Sequence, residues 1–145
     1  MQKDRLFQIL VLADIVLVTL TIAAEFVFHG TLPEPLRAYA WSTYFGNWSI
    51  TAFALLMFWI AIVAATLVSW VGLLLYWWPA RAFYVGAWLA MLVLLATSGP
   101  SVLTAPGAAL DTLEHIVGGV LIGMMFFSDE VRQRFDERDL EPAAA

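Results

Sequence analysis

Between Trp48 and Trp78 the chain runs ITAFALLMFWIAIVAATLVSWVGLLLYW without one charged residue. About 20 apolar residues are enough to cross the hydrocarbon core of a bilayer. At about 1.5 Å per residue, Trp48 and Trp77 lie about 43 Å apart on a helix, close to the thickness of a membrane with its interfaces. No soluble domain needs such a run, so it fixes the class as helical integral membrane protein.

The angular order of this run adds a packing expectation. At about 100° per residue, Trp48, Trp59, Trp70 and Trp77 fall within about 40° of one another, while Ala54, Ala61, Ala65 and Gly72 gather on roughly the opposite side. Small residues let helices approach closely in lipid, so the Ala/Gly face is expected to meet the rest of the bundle. The tryptophan stripe is then expected to face lipid, or a second protein, or an apolar pigment or lipid seated against it. No other cofactor is expected. Trp41, Tyr44 and Trp48 at one end, and Tyr76, Trp77 and Trp78 at the other, have the character of interfacial anchors.

The rest of the chain is compatible with one membrane domain and leaves no room for a separate soluble one. Of 145 residues, 62% are hydrophobic and 13% charged, and the mean hydropathy is +0.83. A net charge of −5 argues against nucleic-acid binding. The absence of cysteine excludes disulfides, thiol catalysis, Cys-ligated zinc and iron–sulfur clusters.

In chain order, residues 1–5 form a charged lead and Leu6 to Phe28 a first apolar segment. It is longer than a signal-peptide core, contains Asp14 and lacks a good small-x-small cleavage site, so it reads as a retained helix. His29-Gly30 ends it. Residues 35–45 predict a short helix along the membrane surface, closed by Gly46-Asn47. Trp78-Pro79-Ala80-Arg81 is a turn so short that the next helix must return antiparallel. Four spanning helices are expected at about 6–28, 48–77, 80–97 and 108–127, within a single domain over 1–127. A charged tail over 128–145 begins as a solvated helix and ends in Pro142 and three alanines. Lys3, Arg5, Arg81, Arg132, Arg134 and Arg138 fall on one side and Arg37 alone on the other, which predicts cytoplasmic termini. The membrane expected is a bacterial inner membrane. Gly86 and Ala90 on the third span, and Gly119 and Gly123 on the fourth, offer close-packing surfaces, the latter within the bundle or at a dimer seam.

Ionisable residues inside spans are costly and mark functional candidates. Asp14, Thr21 and Glu25 share one face of the first helix, extended by His29, and Asp111, Glu114 and His115 form a patch on the fourth. Antiparallel packing would bring Glu25 and His29 level with Asp111, Glu114 and His115 at the outer rim. That grouping could relay protons, bind a cation or simply be wetted by headgroups; no H-E-x-x-H or similar spacing supports a metal centre. Asp14 meets no basic residue in the spans. It is expected to be neutral, hydrogen-bonded to backbone near Gly118 or Gly119, or paired with a basic group from another subunit.

Enzymatic constellations are thin. Ser98 or Ser101 with Asp111 and His115 supplies the residue types of a hydrolytic triad without a nucleophile-elbow motif, so no catalytic role is expected. Asn47-Trp48-Ser49 is a formal glycosylation sequon too close to the membrane to be a good acceptor. Two functional expectations follow: an accessory, assembly or interaction subunit docked to another membrane protein or to itself, and an oligomeric proton or cation conductor using Asp14, Glu25 and the Asp111–Glu114–His115 patch.

Overall fold

The computed structural model describes residues 2–45, 50–98 and 102–140, and these are helical with no strand among them. The elements are α1 (Gln2–Phe28), a 3-10 turn (His29–Thr31), α2 (Glu34–Phe45), α3 (Ile50–Leu74), α4 (Trp78–Ser98), α5 (Ala105–Phe127) and α6 (Asp129–Leu140). Four of them, α1, α3, α4 and α5, are long and apolar enough to cross a membrane. Trp48, the Gly46-Asn47 helix end, the sequon, Ser101, Pro142 and the alanines lie outside the described residues, as do the side chains of Trp41, Tyr44, Ser98 and Arg138.

The spanning helices form two antiparallel pairs. α1 lies along α5, α3 lies along α4, and the pairs meet more sparsely through α1 and α3. Both α1 and α6 begin or pack at the end that also carries the α3–α4 turn, where Arg134 of α6 reaches Asp4 of α1 at 3.1 Å. We call this the basic end, and the opposite one the far end.

Helix limits depart from the sequence expectation for local reasons. α1 starts at Gln2 because the charged lead is held against α6. α3 stops at Leu74 because the chain turns left-handed at Tyr76, whose φ is 54°. Trp77 N–H donates to Gly72 O (2.7 Å) and Tyr76 N–H to Leu73 O (3.2 Å), the paired bonds of a Schellman cap. Glycine usually fills such a position. Here a tyrosine does, and its ring is packed against Phe7 and Phe135 at 5.7 and 5.3 Å between centroids. Gly72 is small because Trp77 and Ala80 fold back onto it. α4 then opens with Pro79 in its first turn, where the missing N–H costs no helical bond.

The core is concentrated at the basic end. Phe7, Val11, Leu73, Leu121, Met125, Val131 and Phe135 are fully buried in one cluster with Trp70, Ala80 and Tyr84. The expectation of a solvated tail is corrected here: Val131 and Phe135, one turn apart on α6, dock into the bundle. Arg81 lies over the Phe135 ring at 4.8 Å and pairs with Asp136 at 3.4 Å. The Tyr76 hydroxyl donates to the Asp4 carbonyl at 3.3 Å. Burial, with the Asp4 charge, holds that phenol above its ordinary titration range.

Toward the far end the pairs are filled separately. Ile62, Ala87 and Leu94 form a smaller cluster between α3 and α4, with Ala65, Ala90 and Met91 against it. Residues 53–61 of α3 are all exposed. The expected small face of α3 is therefore corrected in part: Gly72 is buried and Ala65 packs, but Ala54 and Ala61 face outward. On α4 the packing residues are Ala80, Tyr84, Ala87 and Leu94, with Ala90 beside them, whereas a Cβ on Gly86 would meet nothing.

Candidate functional site

Asp14 lies 3% exposed between the two helix pairs, where one helix face of α1 meets the basic-end halves of α3 and α4. Its Oδ2 accepts from the indole Nε1 of Trp70 at 2.8 Å and from the hydroxyl of Tyr84 at 3.0 Å. One carboxyl thus joins three spanning helices. In hydrocarbon there is no hydrophobic gain from bringing helices together, so a polar contact that spares three groups from lipid is a direct source of association.

This geometry corrects two expectations. Asp14 is bonded neither to backbone near Gly118 or Gly119 nor exposed to a partner's base; side chains of α3 and α4 satisfy it. Trp70 leaves the outward stripe and is 6% exposed, because an indole N–H at that depth needs an acceptor and Asp14 supplies it. Trp59 and Trp77 do face outward, each 46% exposed, and Trp77 stacks on Phe83 at 6.0 Å.

Tyr84 and Trp88 of α4 cover Gly118 of α5, where a Cβ would run into the indole and approach the phenol oxygen to 3.1 Å. Gly118 is therefore the glycine of close approach. Gly119 and Gly123 are open, with nothing within 4 Å of a Cβ at either position. Neither is a close-approach position between helices of this chain.

The remaining candidates separate into two groups rather than one rim. Glu25 and Thr104 make the first: Glu25 Oε1 accepts from the N–H and the hydroxyl of Thr104, both at 2.9 Å, and Thr104 Oγ1 accepts from Gly107 N–H at 3.2 Å. Thr104 is the N-cap of α5, and Gly107 has no side chain because the Glu25 carboxylate occupies that space. A carboxylate at a helix N-terminus is favoured by the unpaired N–H groups there. His29 lies half-buried in the 3-10 turn beyond α1.

Asp111, Glu114 and His115 make the second group. This cap starts α5 at Ala105 instead of Ala108, so Glu114 and His115 sit about 14–15 Å along a helix of about 35 Å, near mid-span and not at its rim. His115 Nδ1 is 2.7 Å from the Asp111 carbonyl and 3.7 Å from its carboxylate. The imidazole stands edge-on to Trp88 with centroids 4.9 Å apart. Both side chains are 40% exposed. Glu114 is half-buried and lies within electrostatic reach of Asp14, His115 and Asp111. Among the described residues no three His, Asp or Glu side chains are placed to hold a metal ion.

Sequence reasoning missed Tyr84 and Thr104 and put Trp70 on the wrong face. A carboxyl without a base in reach calls for N–H and O–H donors, and polar-tipped aromatics at matching depth were the available signal. Comparison with family models, with curated proteins and with solved structures finds no match.

Proposed function

We propose that this chain is an accessory or assembly subunit that docks, through the outward face of α5, against a transmembrane helix of another membrane protein. The observation carrying this reading is the composition of that face. His115, near mid-span, and Asp111 one turn before it, each 40% exposed, share a stripe with Gly119 and Gly123, whose Cβ positions are empty. Lipid chains cannot hydrogen-bond an imidazole, whereas a second helix brought close by the two glycines can. The role is non-catalytic. We place the protein in a bacterial inner membrane with both termini in the cytoplasm, since Lys3, Arg5, Arg81, Arg132 and Arg134 gather at the basic end, and α2 on the opposite membrane surface.

The conducting role draws support from the ionisable groups met in order of depth on α1 and α5: Glu25, Asp111, then Glu114, His115 and Asp14. Between Asp14 and the basic end, however, Phe7, Val11, Leu121 and Met125 are fully buried. A dry layer of that kind opposes ion passage within one chain, so docking is the better reading.

Native mass spectrometry of the protein extracted gently from its own membranes tests it. A stoichiometric second polypeptide is expected, lost in the Gly119→Leu/Gly123→Leu variant while helix content and thermal midpoint are kept. A wild-type protein released alone, or as a homo-oligomer, or a variant that retains the partner, would overturn the docking role.

A further inference from the structure

Among the described residues three buried side-chain oxygens have no hydrogen-bond partner: Asp4 Oδ1 and Ser128 Oγ toward the basic end, and Asp14 Oδ1 deep between the helix pairs. Asp14 Oδ2 has two donors, but Oδ1, equally inaccessible, has no hydrogen-bond partner among the described residues. An orphaned carboxyl oxygen in the centre of a bundle is costly, and it calls for a donor from the element that faces it.

The facing element is α5. Glu25 and Thr104 fix its antiparallel register with α1. Counting equal numbers of residues inward, from Glu25 to Asp14 on one helix and from Thr104 on the other, arrives at His115, with Glu114 beside it and Gly118 one turn beyond. Gly118 is the residue on which the Tyr84 hydroxyl rests, and that hydroxyl is bonded to Asp14. Glu114 therefore lies on α5 at the depth of Asp14 on α1, on the same side of α5 as Gly118. Glu114 lies within electrostatic reach of Asp14, and Asp14 within reach of His115, in agreement with that shared depth.

The titratable groups within electrostatic reach of this point are Asp14 from α1, Tyr84 from α4, and Asp111, Glu114 and His115 from α5; α3 contributes the non-ionisable indole of Trp70. Not all of them can donate to Oδ1. The Tyr84 hydroxyl and the Trp70 indole are committed to Oδ2. His115 directs Nδ1 at the Asp111 carbonyl, so a neutral ring carries its proton there and leaves Nε2 as a lone pair. With no lysine or arginine beside them and the His115 ring neutral, two carboxylates cannot both stay ionised in a low-dielectric interior. One acid proton resolves the deficit of donors and the excess of charge together.

We propose that Asp14 and Glu114 form a proton-binding site inside the bundle, in which the protonated Glu114 carboxyl donates to Asp14 Oδ1 through a bridging water or after a rotation of its own side chain. No bond other than the hydrogen bond changes: the proton resides on Glu114, and Asp14 remains the acceptor of three donors. The site is independent of any docking on the outer face of α5.

Infrared difference spectroscopy of the full chain in lipid bilayers at neutral pH, in H2O and in D2O, tests the proposal. The wild type is expected to give the carbonyl stretch of one protonated side-chain carboxyl, shifted in D2O. Glu114→Gln should abolish that band with helix content intact, since the amide N–H replaces the acid O–H as donor. Asp111→Asn should leave it. Asp14→Asn should move the band to higher frequency by weakening the acceptor, and because Asp14 also joins three helices, the Glu114→Gln comparison stands without it. Absence of a protonated-carboxyl band in the wild type, its survival in Glu114→Gln, or its loss in Asp111→Asn would overturn the proposal.

Discussion

Two carboxylates on the same face of α1 are used in opposite ways. Asp14 is buried and draws its donors from α3 and α4, the other helix pair. Glu25 is half-buried and draws both donors from Thr104, within its own pair. The first is a contact between pairs and the second a contact along one. Around Asp14 the molecule is closed by α6 and by a fully buried apolar cluster; beyond Glu25 the two pairs have separate packing. Spanning helices gain little from burying apolar surface against each other, so the half with polar ties and a water-facing cap is the half that holds together.

Removing the tie between pairs should have the largest effect. Asp14→Ala strands the Trp70 N–H and the Tyr84 O–H, each at a cost of about 1–3 kcal/mol when buried, so a loss of up to about 6 kcal/mol is expected. Unfolding in a mixed-micelle denaturant series measures it, and cysteine pairs placed on α1 and α3 should then report separation of the pairs. A loss no greater than that for an exposed alanine substitution would break the contrast with Glu25. Phe135→Ala comes next. Phe135 is removed from water by Phe7, Tyr76 and Arg81, outside the spans, so the ordinary hydrophobic term applies and about 3–5 kcal/mol is expected. Accelerated amide exchange throughout α6, with α3 and α4 unchanged far from the basic end, is the accompanying signature.

What could be read from the chain follows the same division. Spanning segments are legible because lipid imposes one demand, an unbroken apolar run, and 48–78 meets it in plain view. Angular position along α3 was misleading at Trp70 because the stripe was assigned from side-chain bulk alone; hydrogen-bond accounting for Asp14 decides the rotation of that residue instead. The docked tail had a visible signal, the i, i+4 pair of Val131 and Phe135 inside a charged stretch, overshadowed by the charge around it. Gly118, named by sequence only as backbone near Asp14, has a role that depends on Tyr84 and Trp88 arriving from another helix and is not encoded locally. Glu114 and His115 lie deeper along α5 than their spacing from the expected helix start implies, since that start depends on the Thr104 cap and the Glu25 contact.

A smaller effect is expected where the tie lies within one pair. Glu25→Ala removes the acceptor of both Thr104 bonds while leaving those groups near the end of the bundle, where water can reach them, so about 1–2 kcal/mol is expected. The loss should be local. Amide exchange should quicken over the first turn of α5 and stay unchanged around Asp14; equal quickening at both places would show that the two halves are one cooperative unit and dissolve the comparison.

The smallest effect tests the closed half from the water side. Tyr76→Phe keeps the ring packed on Phe7 and Phe135 and the left-handed backbone, and removes a single long hydroxyl bond to the Asp4 carbonyl, for about 0.5–1.5 kcal/mol at neutral pH. Its pH dependence is more telling than its size. The folded phenol titrates above its ordinary value of 10.0, because burial and the Asp4 charge oppose ionisation. The folded state therefore retains a proton that the unfolded chain releases, and stability contributed by the neutral phenol is present below pH 10.0 and falls as pH rises from there through the folded value. Thermal midpoints measured from neutral pH into the alkaline range should decline for the wild type and decline less for Tyr76→Phe. Parallel curves would mean that the phenol is as well hydrated in the folded protein as in the unfolded one, and that the basic end is less closed than its packing implies.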